Sequence, residues 1–201
     1  MKPVSVVSGR MVPLPQADVD TDQIIPKQFL TRTERTGYGE FLFYDWATTD
    51  DGKPSSDFFT HDPKRAGAKV LVAGRNFGCG SSREHAVWAI HDWGFEAVIA
   101  PSFGDIFRNN AVNVGLLTVE LPDDVVTMLC DLAQRPDAVI TIDLGRQVVE
   151  TGDLVVEFDV DAEVKHRLLS GLDPIGLTLE HEEAIATFES ARSNWLELAD
   201  N

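Results

Sequence analysis

The residues best equipped for chemistry sit in one turn, Gly78-Cys79-Gly80-Ser81-Ser82-Arg83-Glu84, inside the longer run AGRNFGCGSSREHAVWAIHDWGF at 73–95. Ser81 followed three residues later by Glu84 reads as a capping box: the serine oxygen accepts from a backbone N–H at a helix start, and the glutamate reaches back. Gly74, Gly78 and Gly80 permit positive φ and close backbone approach, and a helix N-terminus concentrates partial positive charge. Arg83 adds a planar fork matched to a carboxylate. Together these features describe an anion site. The N–H groups that cap a neutral serine would also stabilise a serine alkoxide, so the structural and catalytic readings of Ser81 share one expected geometry.

Other chemistries fit this turn less well. The sequence has no GxxxxGK[ST], and its glycine spacing departs from GxGxxG, which argues against a phosphate loop. GxSxG is absent too, and sequence places none of His61, His85, His91, His166 and His181 as a general base. Cys79, between two glycines, reads as a small buried thiol, and Cys130 as a helical core residue. Two cysteines without CxxC spacing are too few for a disulfide framework or for a complete metal or iron–sulfur site within this chain.

The elements that must position the turn are legible on either side of it. KVLVAG (69–74) is a short β-branched run ending in glycine, as expected of a buried strand entering a tight turn. REHAVWAIHDW repeats apolar residues at helical spacing, and Gly94 can end that helix in the left-handed conformation. FEAVIAPS (95–102) and LLTVEL (116–121) read as strands, FGDIFRNNAVNVG between them as a short helix, and PDDVVTMLCDLAQ as a helix with acids in its first turn. Strands alternating with helices predict parallel pairing. AVITIDL (138–144) and DLVVEFDV (153–160) read as two further strands flanking GRQVVETG, with closing helices at AEVKHRLLSG and EEAIATFESARSNWLEL. SVVSGRMVPL reads as an opening strand, followed by loops around DVDTDQIIP. The expected architecture is one α/β domain over 1–201 with a helical C-terminal end.

Composition narrows the function classes. A chain of 201 residues, 43% hydrophobic and 25% charged, is long enough for a real core and has neither a fibrous nor a disordered composition. Seventeen Lys and Arg against 33 Asp and Glu give a net charge of −16, which disfavours a nucleic-acid partner and requires any anionic substrate to be captured locally. The opening lacks the apolar core of a signal peptide and no run is long enough to span a bilayer, so the expected setting is cytoplasmic, with no membrane partner.

GRNFGCGSSREHAVWAI, DVDTDQIIP (18–26), ERTGYGEFLF (34–43), PSFGDIFRNNAVNVGLL (101–117) and GLDPIGLTLEHEEAI (171–185) resemble bacterial-type small subunits of 3-isopropylmalate dehydratase over nearly the whole chain. GSSREHA is also similar to the mobile domain of the wider aconitase family. The resemblance implies a swivelling β/β/α domain that works only with a separate large subunit, the bearer of an iron–sulfur cluster that this chain does not bind. The implied reaction belongs to leucine biosynthesis: 2-isopropylmalate loses water to isopropylmaleate, which is rehydrated to 3-isopropylmalate. The iron would act as a Lewis acid on the departing hydroxyl. Related hydro-lyases acting on homoaconitate, citraconate or dimethylmalate would share the same turn, and a non-catalytic anion-binding assembly module is the alternative of another class.

Carried onto this sequence, the resemblance makes Ser81 the base that removes and returns the carbon-bound proton. Ser82 and Arg83 become ligands for a carboxylate of the dicarboxylate substrate. Asp22 matches an acidic residue near the active site, although Asp18, Asp20 and Asp22 are equally suited to forming a turn through their own backbone. The segment 28–39 aligns with a loop that recognises the substrate's γ-substituent, so Phe29, Leu30 and Thr31 are candidates to line an isopropyl pocket, and Arg32 or Arg35 to meet a carboxylate. His85 is expected one turn into the helix beside a backbone or carboxylate partner, without a metal. Asn110 is the favoured supporting residue over Arg108 and Asn109.

Overall fold

The run Val70-Leu71-Val72-Ala73 is buried at every position, as a strand covered on both faces requires. The computed structural model describes residues 1–31, 36–49, 51–56 and 58–191. Its strands are β1 (Val6–Leu14), β2 (Val70–Ala73), β3 (Ala97–Ala100), β4 (Leu117–Glu120), β5 (Val139–Asp143), β6 (Val148–Thr151) and β7 (Leu154–Glu157). They form a mixed sheet in the order β4-β3-β2-β1-β5-β6-β7. The β1 to β4 side is parallel throughout, as the strand–helix alternation predicts, and β1-β5-β6-β7 is antiparallel.

The helices are α1 (Thr21–Ile24), α2 (Tyr44–Ala47), α3 (Glu84–Trp93), α4 (Asp105–Val114), α5 (Asp123–Leu132), α6 (Ala162–Ser170), α7 (Pro174–Leu179) and α8 (Glu182–Ala191). The two-residue period of a strand divides the core between the faces of the sheet. Leu71, Ala73, Val98 and Ala100 join Ala86, Ile90, Phe107 and Ala111 of α3 and α4 on one face. Val70, Val72, Ala97 and Ile99 join Val126, Leu129 and Cys130 of α5 on the other. α3 ends at Gly94 with φ 117°, the left-handed cap its sequence calls for.

The expected loop at DVDTDQIIP contains α1, and two elements of the C-terminal half also differ from expectation. GRQVVETG, expected between two strands, itself contains β6, because left-handed Gln147 (φ 57°) and Gly152 (φ 55°) close tight turns on either side of a four-residue strand. The segment 173–179 forms α7, with Asp173 capping Gly176 N–H at 2.7 Å and Pro174 at the helix start. α8 has no buried residue, and the part of the expected last helix beyond 191 lies outside the described residues. No described helix is long and apolar enough to cross a membrane.

Candidate active site

Three loops leave the carboxyl ends of β1, β2 and β3 and zip together, where open α/β sheets place their sites. Residues 15–22 pair with the turn after β2 through Asp18 N–H to Arg75 O (2.9 Å), Gly78 N–H to Val19 O (2.7 Å) and Thr21 N–H to Cys79 O (3.0 Å). The loop after β3 pairs from the other side, through Phe77 N–H to Ser102 O (3.0 Å) and Gly104 N–H to Phe77 O (2.9 Å). Side chains extend the zipper: Asn76 donates from Nδ2 to Asp18 Oδ1 (2.8 Å) and from its N–H to Ser102 Oγ (2.9 Å). Glycine is required at Gly78 on two grounds, since φ is 73° and a Cβ would lie 2.3 Å from the Phe107 ring.

The capping box expected at Ser81 and Glu84 does not form. Arg83, extended at φ −137° and ψ 103°, is the N-cap of α3 and makes no side-chain capping bond. Ser81 lies two residues earlier because left-handed Gly80 (φ 90°) turns the chain before the helix begins, and because the Thr21 hydroxyl holds the Ser81 carbonyl at 2.9 Å. Ser81 and Ser82 are exposed. A reciprocal capping box does occur nearby, at Asp20 and Gln23: Gln23 N–H donates to Asp20 Oδ1 and Asp20 N–H to Gln23 Oε1, both at 2.9 Å.

The acidic run at 18–22 therefore divides by residue. Asp20 is a local cap, Asp18 accepts from Asn76 of the turn after β2, and Asp22 forms an ion pair with Arg83. The Arg83 side chain is only 16% exposed against 51% for Asp22, so the guanidinium is the anchored member of the pair. The hydrogen bond from Arg83 holds the Asp22 carboxyl below its ordinary value. Asp22, Ser81, Ser82 and Arg83 are thus brought into one place.

The remaining candidates are more dispersed. His85 packs against the rings of Tyr38 (centroids 5.2 Å apart) and Trp88 (4.7 Å), and burial pushes its pKa down, favouring neutral imidazole. The hydrogen-bonding partner expected for it is not found among the described residues. Phe29 stacks on Phe41 at 4.1 Å and meets the edge of Tyr44 at 4.8 Å. Phe29 and Leu30 are half-buried against the core, and Thr31 is exposed. Arg32 and Arg35 lie outside the described residues. Asn110 is on α4, which packs against α3, and its buried Nδ2 has no hydrogen-bond partner among the described residues. Arg108 is engaged by Glu120 (3.0 Å) and Asp105 (3.4 Å).

Both cysteines are free thiols, and the pKa of each is raised. Cys79 is half-buried, and its thiol is pushed up by burial and then by Asp20 and Asp18. Cys130 is buried and pushed up to about 11, chiefly by burial. Among the described residues, no three of His, Cys, Asp and Glu gather closely enough to hold a metal ion.

Sequence reasoning missed two residues. Thr21, buried at 2% exposure, sits inside a quoted motif whose acids drew the attention. Arg65 is also buried, and donates to Met11 O (3.1 Å), Ala133 O (2.6 Å) and Gln134 O (2.9 Å), placing its charge at the carboxyl end of α5. Nothing in the surrounding HDPKRAG distinguishes Arg65 from a surface arginine.

The chain is similar to known proteins over nearly its whole length. Residues 1–124 match the model of the aconitase C-terminal domain, and 175–196 match that of the C-terminal domain of the 3-isopropylmalate dehydratase small subunit. The chain is 50% identical over 197 residues to the 3-isopropylmalate dehydratase small subunit of Rubrobacter xylanophilus, covering 98% of each chain. It is 51% identical over 201 residues to that of Paramagnetospirillum magneticum, covering 98% of this chain and 100% of the relative. A crystal structure of a 3-isopropylmalate dehydratase from Methanocaldococcus jannaschii superposes with a TM-score of 0.66 at 29% identity, covering 92% of this chain and 99% of that one. The chain belongs to the family of 3-isopropylmalate dehydratase small subunits, hydro-lyase components built on the aconitase C-terminal domain.

Proposed function

We propose that this chain supplies one half of the active site of 3-isopropylmalate dehydratase in leucine biosynthesis, with a large subunit supplying the other half. The observation that carries the reading is the Ser81-Ser82-Arg83 run, held from behind by the 18–22 segment, with both serine side chains open. In this reading Ser81 Oγ, as the alkoxide, takes the carbon-bound proton of 2-isopropylmalate while hydroxide leaves the neighbouring carbon, giving isopropylmaleate, a protonated Ser81 hydroxyl and hydroxide. Readdition of hydroxide with the opposite regiochemistry, as Ser81 returns its proton to the other carbon, gives 3-isopropylmalate and restores the alkoxide.

An ordinary serine is far too weak an acid to serve as this base, so oriented donors must stabilise its alkoxide. Ser82 and Arg83 bind a substrate carboxylate, and Arg83 offsets locally the negative charge of a chain at −16. Asp22 orients the guanidinium. Phe29, Leu30 and Thr31 belong to the loop that reads the isopropyl group, and Asn110 supports the site from α4. The residue set of this chain does not suit an iron–sulfur cluster, which the reading assigns to the large subunit together with acceptance of the departing hydroxide.

Ser81→Ala in the assembled two-chain enzyme tests the proposal. The expected result is a loss of about 10²–10⁴-fold in kcat with assembly intact, the usual contribution of a positioned base. Near-normal turnover would instead favour a module that binds and assembles without chemistry.

A further inference from the structure

Thr21 is one of only two buried polar or charged residues among those described, and its amide and hydroxyl donors are both spent on the turn that carries Ser81. Its N–H donates to Cys79 O at 3.0 Å and its hydroxyl to Ser81 O at 2.9 Å. The next residue, Asp22, holds the side chain of Arg83. Alternate positions 79, 81 and 83 are thus gripped from one side by two adjacent residues, and the parallel bridge between Asp20 and Cys79 sets the register.

This grip fixes where the intervening N–H groups point. In a trans peptide the carbonyl and the following N–H face opposite ways, and the chain has no cis peptide bond. With the carbonyls of Cys79 and Ser81 turned toward Thr21, the N–H groups of Gly80 and Ser82 are turned away from it. Among the described residues neither N–H has an acceptor. A carbonyl that accepts a hydrogen bond also polarises its own peptide, which strengthens the attached N–H as a donor. The capping box having failed to form, these two peptides flank Ser81 as the nearest backbone donors fixed in direction.

We infer that Thr21 is a positioning residue of the active site, whose amide and hydroxyl clamp the two peptides around Ser81 and aim the Gly80 and Ser82 N–H groups at the negative charge of the reacting site. The inference rests on the reading of Ser81 as the base. The chain dictates threonine here because the residue must fill a buried site while offering one hydroxyl donor. Valine fills the same volume without the donor, and serine keeps the donor without the methyl.

The test uses the reconstituted two-chain enzyme with Thr21→Val, Thr21→Ser, Ser81→Ala and the Thr21→Val/Ser81→Ala double variant. Thr21→Val is expected to lower kcat by about 10–10²-fold with KM within about twofold, the range seen when a donor or reacting atom is misplaced. Thr21→Ser is expected to recover most of that loss, and in the Ser81→Ala background Thr21→Val is expected to add almost nothing. Wild-type kcat in Thr21→Val, a Thr21→Ser rate as low as that of valine, or a full additional loss in the double variant would each overturn the inference. Ser81→Ala separates the two claims: if it leaves turnover intact the base assignment fails, and if it abolishes turnover while Thr21→Val is silent only the role of Thr21 fails. Melting of the full chain on its own accompanies the kinetics, and a Thr21→Ser variant that melts like wild type keeps the comparison interpretable should valine prevent assembly.

Discussion

The parallel and antiparallel halves of the sheet solve different problems. β2 and β3 are buried at all four positions, and the loops leaving their carboxyl ends converge with the loop from β1, main chain bonded to main chain. β5 alternates buried positions with half-buried or exposed ones and β7 half-buried positions with exposed ones, with Val139 and Val155 about half or more exposed. The antiparallel half widens the sheet and covers α5 and α6 on one face. The difference teaches that the candidate site is positioned by backbone contacts among neighbouring loops, which only the parallel half provides. Substitutions should therefore matter by how far they disturb those loops.

The largest effect is expected at Gly78. Gly78→Ala combines a left-handed backbone with a Cβ 2.3 Å from Phe107, and should destabilise the chain by about 3 kcal/mol in urea unfolding, summing strain and overpacking. Next is Arg83→Lys in the assembled enzyme. Lysine keeps the charge but loses the fork, so kcat/KM should fall by about 10–10²-fold, with a raised KM carrying part of the loss and folding unaffected.

A smaller effect is expected at Asp22. Its folded pKa lies below the ordinary 3.8, so the stabilisation it gives is fully present above that value and is lost as pH falls through the depressed pKa. Because the carboxylate is half exposed, screening limits the effect to below about 1 kcal/mol. Asp22→Asn should remove that acid-limb component from a stability-versus-pH curve and lower turnover modestly by freeing the Arg83 fork. The smallest effect is expected in the other half: Val155→Thr, on an edge strand and 60% exposed, should change stability by no more than about 0.5 kcal/mol and leave kcat unchanged. A large loss of activity there would break the contrast between the halves.

The parallel core was legible because its strands and helices carry strong periods and glycine stops, as at 70–73 and Gly94. β6 was missed because four residues between two left-handed turns are too short for a period to show. The candidate residues stand out in the sequence, but their local geometry is not the capping box that their spacing predicts. Ser81 and Glu84 have the spacing of a capping box, but the contact that holds Ser81 away from the helix start comes from Thr21, sixty residues away in the chain. Asp22 and Arg83 were each singled out without their pairing, for the same reason. Arg65 shows the limit most plainly, since its three carbonyl partners come from β1 and the end of α5, and no local pattern announces them.

The central claim is that a serine held by its own peptide, outside the helix that follows it, acts as the base. A crystal structure of the two-chain enzyme with the substrate diacid bound tests this most directly. The expected structure has Ser81 Oγ against the carbon that loses its proton, the Arg83 fork on a carboxylate, and the Gly80 and Ser82 N–H groups facing the reacting atoms. Ser81 Oγ turned away from the diacid, with another group against that carbon, would contradict it.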